Sequence, residues 1–332
     1  MLRLLFVLAC QPVPSFAPAL PASVGLVAAA AKADIDRESA RQTIAGSQML
    51  DSAPGPQPTP TVEEVEASLA AEDRDAGDKR HQHAKTYAVT YAIVTEFQNR
   101  GLRICLHAGS HLGALRHHGV IPFEEKDVDL ALFSTDHAEI EDALAEALQP
   151  FSVSISKSNG QFGYQVDVAA VEAGTSSLSH YIDIWLFEIR ESRGEALCVG
   201  WNAGAVSNGC QKWFRHFHAK STPVFKVADF FPLRTAHFGT QRVPVPATNT
   251  PLETFPFSTA HHWNTTCGPS RRWTGNKWEN VNPREKCSGY WAKHPFVFKK
   301  EGGLEQLRRG TTVLHEVVGV SRSKLDKPFG AP

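Results

Sequence analysis

The 332-residue chain lacks an excess of charge of either sign, with 34 Lys plus Arg against 35 Asp plus Glu. A protein-wide basic field of the kind that gathers nucleic acid or anionic lipid is therefore missing, and nucleic acid is not an expected partner. Long apolar runs are missing too. Beyond the N-terminus nothing approaches the ~20 residues that cross a bilayer, which excludes a polytopic membrane protein and leaves at most an N-terminal anchor. Acidic residues are absent before Asp34. What is present, 42% hydrophobic and 21% charged residues, is ordinary for a globular protein.

The N-terminus reads as an address. Met1-Leu2-Arg3 supplies a positive charge, Leu4 to Cys10 is apolar, and prolines from Pro12 to Pro18 break the run before small residues follow. This is the order of parts in a secretory signal peptide. Residues 1–18 are expected to be that signal, with the protein in the lumen of the Golgi or endoplasmic reticulum or secreted. Ala17 to Lys32, rich in Ala, Pro and Val and free of acid, keeps open a bipartite address to a plastid. Residues 19–82, with Pro54, Pro56, Pro58 and Pro60 and an acidic bias, are read as a disordered linker holding a short acidic helix from Val62 to Ala71.

The six cysteines stand at positions 10, 105, 198, 210, 267 and 287. Loss of a signal peptide removes Cys10 and leaves an odd number. Cys105, in the apolar run Arg103 to Leu106, reads as a buried free thiol. The natural pairs are then Cys198 with Cys210 and Cys267 with Cys287, which imply an oxidising compartment. Asn264-Thr265-Thr266 is a glycosylation match that fits such a compartment. Zinc held by Cys198, Cys210, His216 and His218 is the competing reading of the first pair.

Residues 83–260 alternate between helical and strand patterns. Ala84 to Arg100 is apolar at helical spacing and ends at Gly101. A strand follows over Leu102 to Leu106, then a helix over Leu112 to His117 that Gly119 ends, a strand over Asp127 to Phe133, and a helix over Asp136 to Gln149 capped by Ser134 or Asp136. Gln161 to Val171 and His180 to Arg190 read as antiparallel neighbours. The order predicts an α+β fold, a mixed sheet with helices packed on it. Residues 261–332 form a loop-rich extension in which Trp263, Trp273, Trp278 and Trp291 lie among Arg271, Arg272 and Lys277. They are either an acceptor-glycan surface or simple aromatic packing. His261-His262 reads as a solvated turn.

The chemistry concentrates around two aspartates. On a strand Asp127 and Asp129 project from one face, their Cα atoms about 6.5 to 7 Å apart. Like charges so close raise each other's pKa unless Mg²⁺, Mn²⁺ or a basic partner compensates them. Gly109-Ser110 sits at a strand-to-helix junction whose N–H groups and hydroxyl suit a phosphate. Arg116 and His117, with His118, follow on the same helix and are candidates for a second phosphate. Asp183, in Tyr181-Ile-Asp-Ile-Trp-Leu-Phe187, is a charge inside an apolar strand and the favoured third ligand. Asp167, in Val166-Asp167-Val168, competes for that place. Arg234 is open between a phosphate and a surface carboxylate.

Residues His107 to Leu132, HAGSHLGALRHHGVIPFEEKDVDLAL, closely resemble the signature of the LicD-type phosphotransferases, the family that includes fukutin and the fukutin-related protein. The Ile-Asp-Ile at Asp183, Pro232-Leu233-Arg234, Phe238-Gly239 and Val243-Pro244-Val245-Pro246 extend the likeness over about Lys85 to Trp263. The chain departs from it at Pro122-Phe123, where the family has Pro-Trp, in a longer Glu124-Glu125-Lys126 loop, and in lacking a Tyr-Gly-x-Trp segment after Pro246. The resemblance implies a nucleotidyltransferase-like fold, Gly109 and Ser110 facing donor phosphates, and Asp127, Asp129 and Asp183 as metal-binding and catalytic acids. It implies transfer of a phospho-alcohol, such as phosphocholine or ribitol phosphate, from a CDP-activated donor to a glycan or glycoprotein hydroxyl. Two other functions stay open: a non-catalytic glycan- or partner-binding module, and an enzyme that adds NMP to a small molecule or RNA.

Overall fold

The computed structural model describes residues 58–72, 79–122, 127–157, 162–168, 180–200, 210, 224–253, 271–273, 278–280, 287–299 and 303–319. Val62, Val65 and Leu69 recur at helical spacing, and Val62–Glu72 forms α1. Thr61 caps it reciprocally: Glu64 N–H donates to Thr61 Oγ1 (3.2 Å) and Thr61 N–H to Glu64 Oε2 (2.8 Å). Val65 is buried and α1 packs on the next helix, α2 (Lys79–Asn99). The short acidic helix expected over Val62 to Ala71 is thus present, and its apolar stripe of Val62, Val65 and Leu69 packs against the core.

α2 ends as the sequence indicates, with Gly101 at φ +74 and Leu102 N–H closing onto Phe97 O (2.8 Å). Next come β1 (Ile104–Leu106), α3 (Ala108–His117), β2 (Asp127–Leu132), α4 (His137–Leu148), β3 (Ser154–Lys157), β4 (Gly163–Asp167), β5 (Tyr181–Arg190), β6 (Glu195–Cys198) and β7 (Val224–Lys226). Asp136 caps α4 by accepting from Glu139 N–H (3.3 Å). α3 starts at Ala108, four residues before the apolar pattern that predicted it, and ends at His117 because His118 takes φ +52.

The strands build a seven-stranded mixed sheet of order β1-β2-β5-β4-β3, with β6 on the far half of β5 and β7 on β6. β2 and β5 are parallel and the other pairs antiparallel, including the predicted β4–β5 pair. One face presents Val128, Leu130, Leu132, Ile182, Ile184 and Leu186 to α2 and α4. Each such side chain contributes roughly 1.5 to 3 kcal/mol by leaving water. The opposite face carries Ala131, Trp185 and Phe187, packed with Phe133, Phe162, Phe225 and Phe230. The polar starts of β2 and β5 lie on that second face.

A hairpin of β8 (Arg234–Phe238) and β9 (Gln241–Val245) turns at Gly239, φ +67. Tyr91 on α2 holds the turn, its hydroxyl donating to Phe238 O (2.5 Å) and accepting from Thr240 N–H (2.9 Å). Beyond it, β10 (Arg271–Trp273) pairs with β11 (Trp278–Asn280). A three-stranded sheet follows, of β12 (Phe296–Lys299), β13 (Leu304–Arg309) and β14 (Thr312–Val318). No helix among the described residues is long and apolar enough to cross a membrane. Cys198 and Cys210 form a disulfide, so their thiolates are not available to zinc. Cys105 is free and buried, and Cys287 is disulfide-bonded. Cys267, His216, His218, Trp263, Lys277, Asn264 and residues 1–57 lie outside the described residues.

Candidate active site

Residues paired across neighbouring strands point to the same face of a sheet. β2 and β5 pair Asp127 with Tyr181 and Asp129 with Asp183, and β4 places Gln165 on the other side of Asp183. The row Gln165–Asp183–Asp129 therefore runs across three strands, with Asp127 one step out toward solvent. One carboxylate oxygen from each of Asp127, Asp129 and Asp183 lies within 4.8 Å of the others. Asp167 stands beside Tyr181 in the adjoining row, and its field acts on Lys85. Strand register thus chooses Asp183 as the third acid.

Asp129 is buried, Asp183 half-buried and Asp127 exposed. Burial, reinforced by the charges of Asp127 and Asp183, holds the Asp129 carboxyl well above the usual range. The Trp185 indole N–H, 3.1 Å from Oδ1, and the Gly109 backbone N–H pull the other way. Burial also pushes Asp183 up to about 7 against the Gln165 side-chain amide, which donates to Asp183 Oδ1 at 2.8 Å, while Asp127 adds to the rise. No cationic side chain among the described residues contributes to either balance.

The first turn of α3 serves the acids directly. Asp129 N–H donates to the Ser110 hydroxyl at 2.8 Å, and Ser110 is buried. Gly109 gives its N–H to the Asp129 carboxylate. Ala108, just ahead, has φ +42, a left-handed backbone that costs an L-residue roughly 1 to 2 kcal/mol and turns the chain sharply out of β1.

Arg116 and His117 stand seven and eight residues beyond Gly109, about 10 to 12 Å along the helix. Both are buried: Arg116 Nε donates to His117 Nε2 (2.9 Å), and His117 Nδ1 donates to Pro295 O (2.6 Å). The structure places them under the C-terminal sheet, not beside the acids. Arg234 donates to Pro246 O (2.9 Å) and Asn249 Oδ1 (3.1 Å), bracing the segment after β9.

Residues 101–248 match the family described as LicD/FKTN/FKRP, nucleotidyltransferase domain. This segment is similar to the LicD/FKTN/FKRP nucleotidyltransferase domain. The match runs from the end of α2 past β9 and contains all three acids together with Gly109, Ser110, Gln165, Trp185 and Arg234. The LicD resemblance of His107 to Leu132 and the α+β architecture are thereby borne out. The LicD family match points to phosphotransferase chemistry directed at glycans. No curated protein matches the chain.

The acids fit a hard divalent cation. They offer only oxygen ligands, and the two inner ones have their carboxyls raised with no cation among the described residues to relieve them. Two contributors were not singled out from sequence. They are Gln165, between Tyr164 and Val166 on β4, and Trp185 on β5. The signal available was the two-residue spacing of Asp183 and Trp185, which puts them on one face.

Proposed function

We propose that the LicD domain is a metal-dependent phosphotransferase that moves a phosphorylated alcohol from a CDP-activated donor to a glycan hydroxyl and releases CMP. The observation that carries this reading is the convergence of Asp127, Asp129 and Asp183 inside a family segment whose chemistry is phosphotransfer. Mg²⁺ or Mn²⁺ bound by these acids would neutralise diphosphate charge and lower the pKa of the acceptor hydroxyl. The glycan oxygen attacks the phosphorus that bears the alcohol, a new P–O bond forms, and the bond from that phosphorus to the CMP oxygen breaks with its electron pair leaving on CMP. Asp183, in the same cluster of acids, takes the hydroxyl proton. Asp129, pinned through its backbone by Ser110 and through its side chain by Gly109, keeps the acids facing each other.

The site belongs in a lumenal compartment of the secretory pathway in this reading. The signal-like residues 1–18 and the Cys198–Cys210 disulfide support it. The test is purified full-length chain with Mn²⁺ and CDP-choline, CDP-ribitol or CDP-glycerol, reading CMP. Release from one donor, abolished by Asp129→Ala, is the expected result. No release from any donor, together with no thermal stabilisation by CDP compounds plus Mn²⁺, would sink the proposal. Pyrophosphate release from a nucleoside triphosphate would instead identify an NMP-adding enzyme.

A further inference from the structure

A carboxylate that binds a cation well presents its free lone pairs in one direction, which requires its remaining lone pairs to be tied off. Here each inner acid is tied by one neutral side chain. Trp185 Nε1–H reaches Asp129 Oδ1 at 3.1 Å, and Gln165 Nε2–H reaches Asp183 Oδ1 at 2.8 Å.

The sheet makes room for both contacts. Trp185 is paired with Ala131 on β2 and with Gly163 on β4, so the indole has almost no side chain on either flank. It lies against Phe162, ring centres 4.4 Å apart and 21° from parallel, and its N–H is aimed back over the row of acids. Gly163 has φ +149, and a Cβ there would strike the Ile184 carbonyl, so that flank stays empty. Indole N–H donates and cannot accept, and here it is given to the acid. A lysine or arginine at either place would tie the acids equally well but would cancel the charge a cation needs. Neutral donors fix direction without doing so.

We infer that Trp185 and Gln165 are positioning residues that pre-turn Asp129 and Asp183 toward a shared divalent cation, an inference that rests on the metal-site reading above. The test uses full-length protein and Mn²⁺ alone, titrated by electron paramagnetic resonance or calorimetry, with melting temperatures recorded without metal. Trp185→Phe keeps an aromatic ring against Phe162 and loses the N–H together with part of the indole's bulk. Gln165→Leu keeps the bulk and loses the amide.

Each variant should bind Mn²⁺ about tenfold or more weakly, with the metal-free melting temperature within a few degrees of wild type. With active donor, the KM for that donor at saturating Mn²⁺ should stay unchanged while the Mn²⁺ requirement rises. Should Trp185→Phe fail to fold, Gln165→Leu carries the same measurement on Asp183. Wild-type Mn²⁺ affinity in a folded variant overturns the inference. A wild-type chain that does not bind Mn²⁺ at all removes instead the metal-site reading beneath it.

Discussion

His118 Nε2 lies 3.0 Å from the Glu305 carboxylate, both side chains buried, and so ties the end of α3 to β13 of the C-terminal sheet. With that N–H donated to Glu305, His118 Nδ1 is left to accept from His315 Nε2 on β14, 2.8 Å away. His117 on the same helix end reaches Pro295 O. α3 therefore joins two regions: its first turn holds Asp129, and its last turn is clasped by a sheet outside the LicD match. Glu305→Leu would leave a buried imidazole without its acceptor. Chemical denaturation should show a loss of about 1 to 3 kcal/mol.

The acid cluster works against the fold when no cation is bound. Asp129 and Asp183 both have carboxyls raised by burial and by neighbouring acid. Asp129→Asn should raise the metal-free melting temperature while abolishing stabilisation by Mn²⁺ and reducing CMP release by ~100-fold or more. A lowered metal-free melting temperature would show that the ionised acid is needed for folding.

Asp183 gives that effect a pH signature. Its folded carboxyl titrates at about 7, against about 4 in an unfolded chain. Between those values the native protein holds a proton that the unfolded chain has released, so this group makes the metal-free protein more stable as pH falls from 7 toward 4. Asp183→Asn has no such proton to bind. Its stability advantage over wild type should be largest at pH 8 and shrink by pH 5, read as the difference between two series of melting curves.

His237 contributes the opposite slope. Burial first, then the charges of His118, Arg242 and His315, lowers its imidazole to about 4 despite Glu305. The unfolded chain binds a proton below about 6.5 that the native state refuses, so stability from this group is lost as pH falls from 6.5 to 4. His237→Gln should flatten that part of the wild-type curve.

The disulfide between Cys198 and Cys210 spans a separation of 12 residues. Constraint of the unfolded chain by a loop of this length is worth about 3 kcal/mol. Cys210→Ser should lower stability by that order in urea titrations, and a reducing agent, which also opens the Cys287 disulfide, should lower that of wild type by at least as much.

Gly163 is the most constrained flank of the site. Its φ of +149 and the Ile184 carbonyl beside it leave no place for a Cβ. Gly163→Ala should cost about 1 to 3 kcal/mol, measured by denaturation, and should disturb the Trp185 contact with Asp129.

Alternation and local chemistry made a good part of this legible in the chain. Asp127 and Asp129 had to share one face of a strand, Gly101 had to end a helix, Asp136 was a ready cap, and the run from His107 to Leu132 carried the family signature. Those features depend on near neighbours in sequence. Three outcomes depended on chain segments far apart. Asp183 prevailed over Asp167 because β5 lies beside β2 in register while β4 lies one strand further away. Arg116 and His117 went under Pro295 because a C-terminal sheet packs there. Trp185 and Gln165 met the acids only through pairing across three strands. Sequence periodicity determines which face a side chain takes. Which strands become neighbours is settled by burying both faces of the whole sheet at once, so the tertiary structure decided that Asp183 meets Asp127 and Asp129, that Trp185 reaches Asp129 and that Gln165 reaches Asp183.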